Sequence, residues 1–265
     1  MRRRLAAANP ARFEPALATS LNNLSNRLGE AGDGAGALGA IREAIEIRRR
    51  LAAVNPARFK PDLTSSLNNL SNRLGEAGDD VGALEAIREA VEIERRLAAA
   101  NPARFESDLA RSLNNLSGRL SEAGDGAGAL EAIREAVEIQ RPLAAANSAR
   151  FESDLALSLN NLSGCLSQAG DGAGALEAIR EAVEIQRRLA AESPARFNPD
   201  LAGSLNNFSN RLSEARDGAG ALEAIREAVE LVTPYAAQFP DGLYAKRLAM
   251  IERNLQRLVE GKHEG

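Results

Sequence analysis

The chain has very few of the residues on which most catalytic and redox sites depend. It contains one cysteine, Cys165, one histidine, His263, and no tryptophan. A single cysteine cannot form an intrachain disulfide, which fits a reducing compartment. A lone histidine near the carboxyl end leaves a nucleophile–histidine dyad without a plausible base. Aromatic residues make up only 3% of the chain, so aromatic cages and base-stacking platforms are not expected.

Long apolar runs and a strong charge of either sign are also missing. No apolar run approaches the roughly 20 residues of a membrane span, and the basic start at Met1 lacks the apolar region of a signal peptide. The formal net charge is -4, which gives no electrostatic reason to bind nucleic acid or an anionic membrane. We therefore predict a cytoplasmic protein with no cofactor, no metal, and no nucleic-acid or membrane partner.

What the chain does contain is a strict internal repeat. The segment Leu21-Asn22-Asn23-Leu24-Ser25 returns four times at intervals of 46 residues, and the last copy has Phe in place of the second Leu. A fixed period of this kind is typical of solenoids, in which stacked units touch only their neighbours. Ala, Leu, Glu and Arg dominate, which favours helices, and the β-branched and aromatic runs typical of strands are missing. The sequence therefore predicts one elongated all-α domain.

Each unit contains two predicted helices. The first, helix A, carries one apolar stripe, with Leu17, Leu21, Leu24 and Leu28 spaced four, three and four residues apart. Proline stands at the predicted first turn in three units, where its missing N–H has no helical partner. Serine, which can act as an N-cap, stands there in the other two. The predicted ranges for helix A are 15–30, 61–76, 107–122, 153–168 and 199–214.

Glycine and aspartate mark the turn after helix A. Gly32 and its three equivalents suit the left-handed residue that ends a helix, whereas the fifth unit has Arg216, at a cost of about 1 kcal/mol. Asp33 and its equivalents are predicted to N-cap the second helix, helix B, of roughly 18–20 residues. Pro142 and Pro234 fall inside helix B and predict a bend there.

Charged residues on helix B are spaced three and four residues apart, as in Arg88, Glu89, Glu92 and Arg96. This spacing indicates a solvated face with ion pairs within the helix, each worth a few tenths of a kcal/mol; a site of paired catalytic carboxylates is the less favoured interpretation. The Gly-Asp-Gly-Ala-Gly turn is not expected to bind nucleotides, because the dinucleotide fingerprint follows a strand and this turn follows a helix. Cys165 replaces an arginine of the other units and is interpreted as drift.

The repeats divide the chain into three parts. Residues 1–13 match the text that closes the next unit, so they are predicted to be the end of an earlier helix B, and the natural protein is expected to extend further. Residues 14–240 hold five units. Residues 241–265 keep an apolar helical stripe at Leu248 and Ile251 but lack the Leu-Asn-Asn motif. This combination predicts a C-terminal capping helix and tail.

The two-helix unit resembles the tetratricopeptide repeat. The likeness rests on apolar positions of both helices and on the turn: Leu21, Leu24, Leu28, Gly32-Asp33, Ala37, Ile41 and Ala44. The familiar unit has about 34 residues. The longer form with Leu-Asn-Asn-Leu on helix A is similar to the repeats of kinesin light chains and of bacterial and fungal multidomain signalling proteins. The large aromatics usual in the family are Leu or Ile here. The resemblance implies a right-handed α-solenoid whose concave face, lined by helix A, binds ligands.

The resemblance also implies which residues face the groove, namely the first asparagine of each pair and positions one turn to either side. The predicted groove residues are Asn22, Asn26, Asn68, Asn72, Arg111, Asn114, Asn160, Asn206 and Asn210. An asparagine amide offers donors and an acceptor, so a ladder of them suits the backbone of an extended peptide. The lysines of the family's carboxylate clamp are absent from these positions, which argues against capture of acidic peptide tails.

A structural role is the alternative for the same asparagines. Residues that recur in step with the core can satisfy buried backbone groups. The second asparagine of each pair, such as Asn23, lies about 100° further round the helix and is better placed to bridge helices. Where two nearly identical units differ, Arg111 in one and Leu157 in the other fall on the proposed groove. This difference either tunes ligand choice or reflects neutral drift after duplication.

Three functional hypotheses follow from the sequence. The first is a non-catalytic scaffold that binds an extended peptide or a partner protein in the asparagine-lined groove. The second is a structural, self-assembling repeat domain that pairs through an apolar N-terminal edge at Leu5 and Phe13. The third is the sensor segment of a larger signalling protein.

Overall fold

The computed structural model describes residues 2–238 and 242–260, and these ranges form twelve α-helices and no β-strand. The helices are α1 (Arg2–Ala8), α2 (Pro10–Glu30), α3 (Gly34–Val54), α4 (Pro56–Glu76), α5 (Asp80–Ala100), α6 (Pro102–Glu122), α7 (Gly126–Ala146), α8 (Ser148–Gln168), α9 (Gly172–Glu192), α10 (Pro194–Glu214), α11 (Gly218–Gln238) and α12 (Leu243–Glu260). The predicted tail at residues 261–265 and the predicted boundary at residue 240 lie outside the described residues.

Helices A and B alternate along the chain as the repeat predicts. Helix A of the five repeats is α2, α4, α6, α8 and α10, and helix B is α3, α5, α7, α9 and α11. All ten helices are 21 residues long, and equivalent helices begin 46 residues apart. The prediction of an all-α helix-turn-helix repeat fold is confirmed.

The predicted start of helix A is wrong by five residues, because the Asn-Pro dipeptide begins the helix instead of forming a loop before it. Asn9 caps α2, since its side-chain Oδ1 accepts a hydrogen bond from the Arg12 N–H at 3.2 Å, and Pro10 occupies the first helical position. Helices B and A are thus joined by one residue, and Asn55 is both the C-cap of α3 and the N-cap of α4.

Prolines within these helices leave only exposed carbonyls without a helical donor. Pro15 removes the hydrogen bond to the carbonyl of Ala11, four residues earlier, and Ala11 is exposed, so water can replace the donor. Pro142 likewise frees the carbonyl of Glu138, which is exposed, and α7 continues without interruption through Pro142. The predicted serine caps at positions 107 and 153 lie inside α6 and α8.

The turn between helices A and B has the predicted backbone. Gly32, Gly78, Gly124 and Gly170 have φ between 78° and 82°, and Arg216 takes the same region at 64°. Asp217 N–H still donates to the Leu212 carbonyl at 2.8 Å. The fifth turn therefore keeps the hydrogen bonds of the others while holding a non-glycine residue in a conformation that L-residues disfavour.

Aspartate caps helix B in a way that requires glycine two residues into the helix. Asp33 Oδ1 accepts from the Gly36 N–H at 2.9 Å. A Cβ on Gly36 would lie 2.2 Å from Asp33 Oδ2. Gly36 therefore leaves room for the cap, and Gly32 provides the positive φ of the turn, so these two glycines are explained without a bound phosphate.

The helices pack as two compact units, residues 1–132 and 133–265, with the boundary inside α7. In the first unit consecutive helices from α1 to α6 pack against each other, and α2 also contacts α4. In the second unit consecutive helices from α8 to α12 do the same, and α10 also contacts α12. The cores of both units are apolar side chains at equivalent positions of helices A and B, for example Leu67 and Ile87 in the first unit and Leu159 and Ile179 in the second.

Ion pairs on helix B run mainly between repeats, which corrects the predicted pattern within single helices. Arg49 pairs with Glu89 at 2.6 Å, and Arg141 pairs with Glu181 at the same distance, each 40 residues along the chain. Arg96 with Glu92 is a pair of the predicted kind. A 40-residue spacing joins equivalent faces of consecutive B helices, so these pairs align neighbouring repeats. Within the described residues, no helix is long and apolar enough to cross a membrane.

Candidate functional site

In the described part of the chain, the A helices line one groove in each unit. The first groove, of about 630 Å³, is lined by Asn22, Asn26, Asn68, Asn72, Glu94 and Arg111, together with neighbours on α2, α4 and α6. The second groove, of about 420 Å³, is lined by Leu157, Asn160, Gln186, Gly203, Asn206 and Met250, together with neighbours on α8, α10 and α12. Helix B contributes one side chain to each groove, Glu94 from α5 and Gln186 from α9.

The predicted groove residues divide between these sites. Five of the nine predicted residues line the first groove, and two line the second. Their spacing of three and four residues places them on one face of helix A. Asn114 is buried on α6. Asn210 lies on α10, one turn beyond Asn206, and does not line the second groove.

The first asparagine of each pair joins one A helix to the next. Asn22 Oδ1 accepts hydrogen bonds from Ser66 Oγ at 3.0 Å and from Asn69 Nδ2 at 3.1 Å. Asn68 Nδ2 donates to Ser112 Oγ at 2.8 Å, and Asn68 Oδ1 accepts from Asn115 Nδ2 at 2.9 Å. The second asparagine of a pair therefore bridges helices, as the sequence predicts.

The second unit repeats the same joint. Asn160 Nδ2 donates to Ser204 Oγ, and Asn160 Oδ1 accepts from Asn207 Nδ2 at 3.3 Å. At the end of the series, Asn254 on α12 donates to Asn206 Oδ1 at 2.7 Å. Helix α12 thus continues this series of asparagine hydrogen bonds between helices, which we call the amide frame, although its sequence no longer reads Leu-Asn-Asn.

The amide frame leaves different hydrogen-bonding capacity at different groove positions. Both Nδ2 hydrogens of Asn68 are engaged, because Nδ2 also donates to the Thr64 carbonyl at 3.1 Å. Within the described residues the side chains of Asn26 and Asn72 form no hydrogen bond, and both are half-buried. The amides that are wholly unengaged in the first groove are therefore those of Asn26 and Asn72, one turn beyond the asparagines that join the helices.

A buried polar position on helix B was missed by the sequence reasoning. Arg48, Glu94, Gln140 and Gln186 stand 46 residues apart and are all buried, and the fifth repeat has buried Val232. The position follows Ala44 and Ile45 at helical spacing, so it falls on an apolar stripe. The signal in the sequence was a polar residue at a position that helical spacing places in the core. The identity of this residue changes from repeat to repeat.

Arg48 and Glu94 differ in whether their polar atoms have hydrogen-bond partners within the protein. Arg48 Nη1 donates to the Asp62 carbonyl at 2.7 Å, to Ser66 Oγ and to Asn22 Oδ1. Burial lowers the pKa of the Arg48 guanidinium, and the charge of Asp62 opposes that change. Glu94 is 3% exposed, and its Oε2 has no hydrogen-bond partner among the described residues.

Burial raises the pKa of the Glu94 carboxyl to about 7. Hydrogen bonds with the hydroxyls of Ser112 and Thr64 oppose the rise, the charge of Asp108 adds to it, and Arg111 lowers it. Arg111 is itself ion-paired with Asp108. The floor of the first groove therefore holds a carboxyl that changes charge near neutral pH.

Family membership follows from comparison with known repeats. Four stretches, residues 17–55, 63–102, 109–141 and 155–195, match the family model described as Tetratricopeptide repeat, and together they make up more than half of the chain. The chain belongs to the tetratricopeptide repeat family. Repeats of this family support a role as a protein-interaction scaffold. No curated protein sequence matches the chain at a significant level.

Solved structures with a similar fold include other tetratricopeptide repeat proteins. BtubC (BKLC) from P. vanneervenii is 24% identical with a TM-score of 0.70, and the match covers 88% of this chain and 86% of that one. A putative kinesin light chain from Podosopora anserina, with nearly identical TPR-like repeats, is 18% identical with a TM-score of 0.58, covering 83% and 96%. The apo form of RapI is 15% identical with a TM-score of 0.62, covering 91% and 61%. These similarities show the fold, which is the kinesin-light-chain-like type of tetratricopeptide repeat.

Other chemistry suggested by single residues finds no supporting geometry within the described part of the chain. Cys165 is a buried thiol on α8. Among the residues that the structure describes, no group of three or more His, Cys, Asp or Glu side chains is arranged to hold a metal ion. The two grooves along the A helices, by contrast, are lined by seven of the nine predicted groove residues.

Proposed function

We propose that this tetratricopeptide repeat chain is a non-catalytic scaffold that holds an extended peptide segment of a partner protein in its asparagine-lined grooves. The observation that carries the proposal is the unengaged amide pair of Asn26 and Asn72 beside a fixed frame. Each amide offers two donors and an acceptor at half-buried positions, which suits the alternating N–H and C=O groups of an extended backbone.

The frame contributes to binding by holding these amides in place. Asn22 and Asn68 are fixed by hydrogen bonds to the next A helix, so the groove wall is ordered before a ligand arrives. A preformed wall lowers the entropic cost of binding. The predicted role of Asn22 and Asn68 as direct ligands stays part of the proposal, because both line the first groove and Asn68 Oδ1 keeps one acceptor site.

The experiment is a screen of extended peptides with a photo-crosslinker at Ser65, an exposed residue that lines the first groove. Peptides that crosslink there are then measured by fluorescence anisotropy against the double variant Asn26→Ala, Asn72→Ala. We expect the affinity to fall about tenfold, because each lost hydrogen bond is worth about 0.5–1.5 kcal/mol.

The matched control is Asn23→Ala, which removes an exposed amide from the same helix as Asn26. It should leave the affinity of the same peptides unchanged. Equal effects of the control and the double variant, or the absence of any crosslinked peptide, would contradict the proposal.

Self-association is a second candidate, favoured by one observation on the first repeat. Leu24 is 45% exposed, whereas its equivalents Leu70 and Leu116 are half-buried. Leu5 on α1 is also exposed. A second copy of the chain could cover this face, and sedimentation of the wild type and of Leu24→Gln tests it: a concentration-dependent dimer that the variant abolishes is expected, and a monomer at high concentration excludes it.

Location in the cytoplasm and a role as the sensor segment of a larger signalling protein stay predictions of the sequence.

A further inference from the structure

The buried helix B position differs between the two grooves in a way that the fold does not require. The same position holds Glu94 under the first groove, Gln186 under the second, and Val232, which is 0% exposed, in the fifth repeat. Because valine fills the position, packing alone has no need of a carboxyl there.

Leaving a buried carboxyl oxygen without a partner is costly. An unsatisfied buried polar group destabilises a protein by about 1–3 kcal/mol, and more if it is charged. Glu94 Oε2 is such an atom among the described residues, and Glu94 lies at the wall of the first groove. A hydrogen-bond donor that a ligand places beside this carboxyl would offset the cost.

The charges around the groove favour a cationic donor. Among the side chains lining it, Asp62, Glu94 and Asp108 are acidic, and the one base, Arg111, is already paired with Asp108. Arg48, buried beside the groove, is engaged by Asp62, Ser66 and Asn22. An acidic ligand would meet Asp62 and Glu94 without a free base to offset them.

Next to Glu94 the frame supplies hydroxyl donors but no positively charged donor. Asn68 Nδ2 donates to Ser112 Oγ, and Ser112 in turn hydrogen-bonds the Glu94 carboxylate. Both amide hydrogens of Asn68 are engaged while its Oδ1 keeps acceptor capacity. A ligand group with several N–H donors and a positive charge, such as a lysine ammonium or an arginine guanidinium, matches this set.

We propose that the first groove selects peptides that place a lysine or arginine side chain beside the Glu94 carboxyl at the groove wall, while the second groove, with Gln186, has no such preference. This inference rests on the proposed peptide-binding function and names the partner chemistry of the same site.

The selection is coupled to pH because a cation prefers the ionised carboxylate. The groups that face Glu94 are Asp62 and Thr64 from α4, and Asp108, Arg111 and Ser112 from α6. Since the pKa of Glu94 is about 7 in the free groove, the carboxyl is largely protonated at pH 6 and largely ionised at pH 8. Affinity for a basic peptide should therefore rise between these values, with release of a proton on binding at the lower pH.

The test uses a positional-scanning library of capped extended peptides with one position fixed as lysine, arginine, norleucine or glutamate. Binding to the first groove is read from the crosslinker at Ser65. Norleucine matches the lysine stem without its charge, so the ratio of lysine to norleucine affinity isolates the ion pair. For the wild type at pH 8 we expect a preference of about tenfold or more, falling toward unity at pH 6.

The decisive variant is Glu94→Gln, which puts into the first groove the residue that stands at positions 140 and 186. It should abolish both the lysine preference and its pH dependence while norleucine peptides bind as before. Gln186→Glu, followed with a crosslinker at the exposed Leu157, should install the preference in the second groove. If Glu94→Gln fails to fold, the pH series on the wild type still decides.

The outcomes separate the two proposals. If no library peptide crosslinks to the wild type, the proposed function fails. If peptides bind with equal affinity for lysine, norleucine and glutamate, or if glutamate is preferred, peptide binding stands and this inference is overturned.

Discussion

The first and second grooves share a frame and differ in what faces the ligand. Residues 92 positions apart correspond, and the joint of Asn68 with Ser112 is reproduced by Asn160 with Ser204. Several groove-lining residues change instead: Ser65 becomes Leu157, Arg111 becomes Gly203 and Glu94 becomes Gln186, whereas Asp62 and Asp108 keep the counterparts Asp154 and Asp200. The positions that connect helices are thus held constant, while several of the positions that line the grooves vary.

The second groove is consequently the more apolar of the two. Leu157 is 53% exposed and Met250 is 41% exposed, and both line it. Gln186 Oε1 has no partner among the described residues, but an amide carries no charge and calls for a neutral donor. We infer that one scaffold presents two chemically different sites, which is the comparison that the following predictions probe.

The largest expected effect comes from the shared core. Leu67 and Leu159 are fully buried equivalents in the two units, so Leu67→Ala and Leu159→Ala should each lower the free energy of unfolding by about 2–5 kcal/mol. Urea denaturation measures this. Leu157→Ala, at an exposed groove position, should change the free energy of unfolding by less than about 0.5 kcal/mol. A loss as large as that of Leu159→Ala would contradict the distinction between core positions and groove-facing positions.

A smaller effect is expected on how stability depends on pH, because Glu94 can titrate and the equivalent Gln186 cannot. The pKa of Glu94 is about 7 in the fold and near 4.5 without it, so the folded state binds its proton more tightly. The stability from Glu94 is full below about pH 4.5 and is lost as pH rises through 7. Relative to Glu94→Gln, the wild type should lose on the order of 2 kcal/mol between pH 5 and pH 8.

Urea denaturation at the two pH values measures that difference. Glu131→Gln, which alters an exposed glutamate of the same unit, serves as the control and should track the wild type at both pH values. Parallel pH profiles of the wild type and Glu94→Gln would show that Glu94 is not the titrating group.

The smallest effect concerns the turns. Gly124 in the first unit and Arg216 in the second have φ of 79° and 64°. Arg216→Gly should stabilise the protein, and Gly124→Arg should destabilise it, by about 1 kcal/mol each. Thermal melting of both variants checks the signs. A loss of stability in Arg216→Gly would mean that the arginine side chain compensates for its backbone.

Much of the fold could be predicted because its determinants are local and repeated. The 46-residue period, the apolar stripe of helix A and the left-handed glycines all act within one hairpin, so each copy confirms the others. The helix A start was predicted wrongly because Pro15 was taken as a first-turn residue. The fold accepts Pro15 deeper in the helix because the Ala11 carbonyl it leaves unpaired is exposed.

The candidate site was harder to predict because it depends on contacts between repeats. Sequence spacing places Asn68 and Asn72 on one face of helix A, but only the packing of α4 on α6 shows that Asn68 is engaged while Asn72 is not. The contribution of Glu94 to the groove could not be predicted, because the sequence does not show which face of α5 lies under the groove. The inter-repeat ion pairs were missed for the same reason, since they join residues 40 positions apart.

The central claim is that the A helices bind peptide through amides that the frame leaves free. The most direct measurement is side-chain amide NMR of Asn26 and Asn72 during titration with the tightest peptide crosslinked at Ser65. The account predicts large shifts for these two amides and small ones for Asn23. Shifts confined to the outer faces of the B helices, with Asn26 and Asn72 unchanged at saturation, would contradict it.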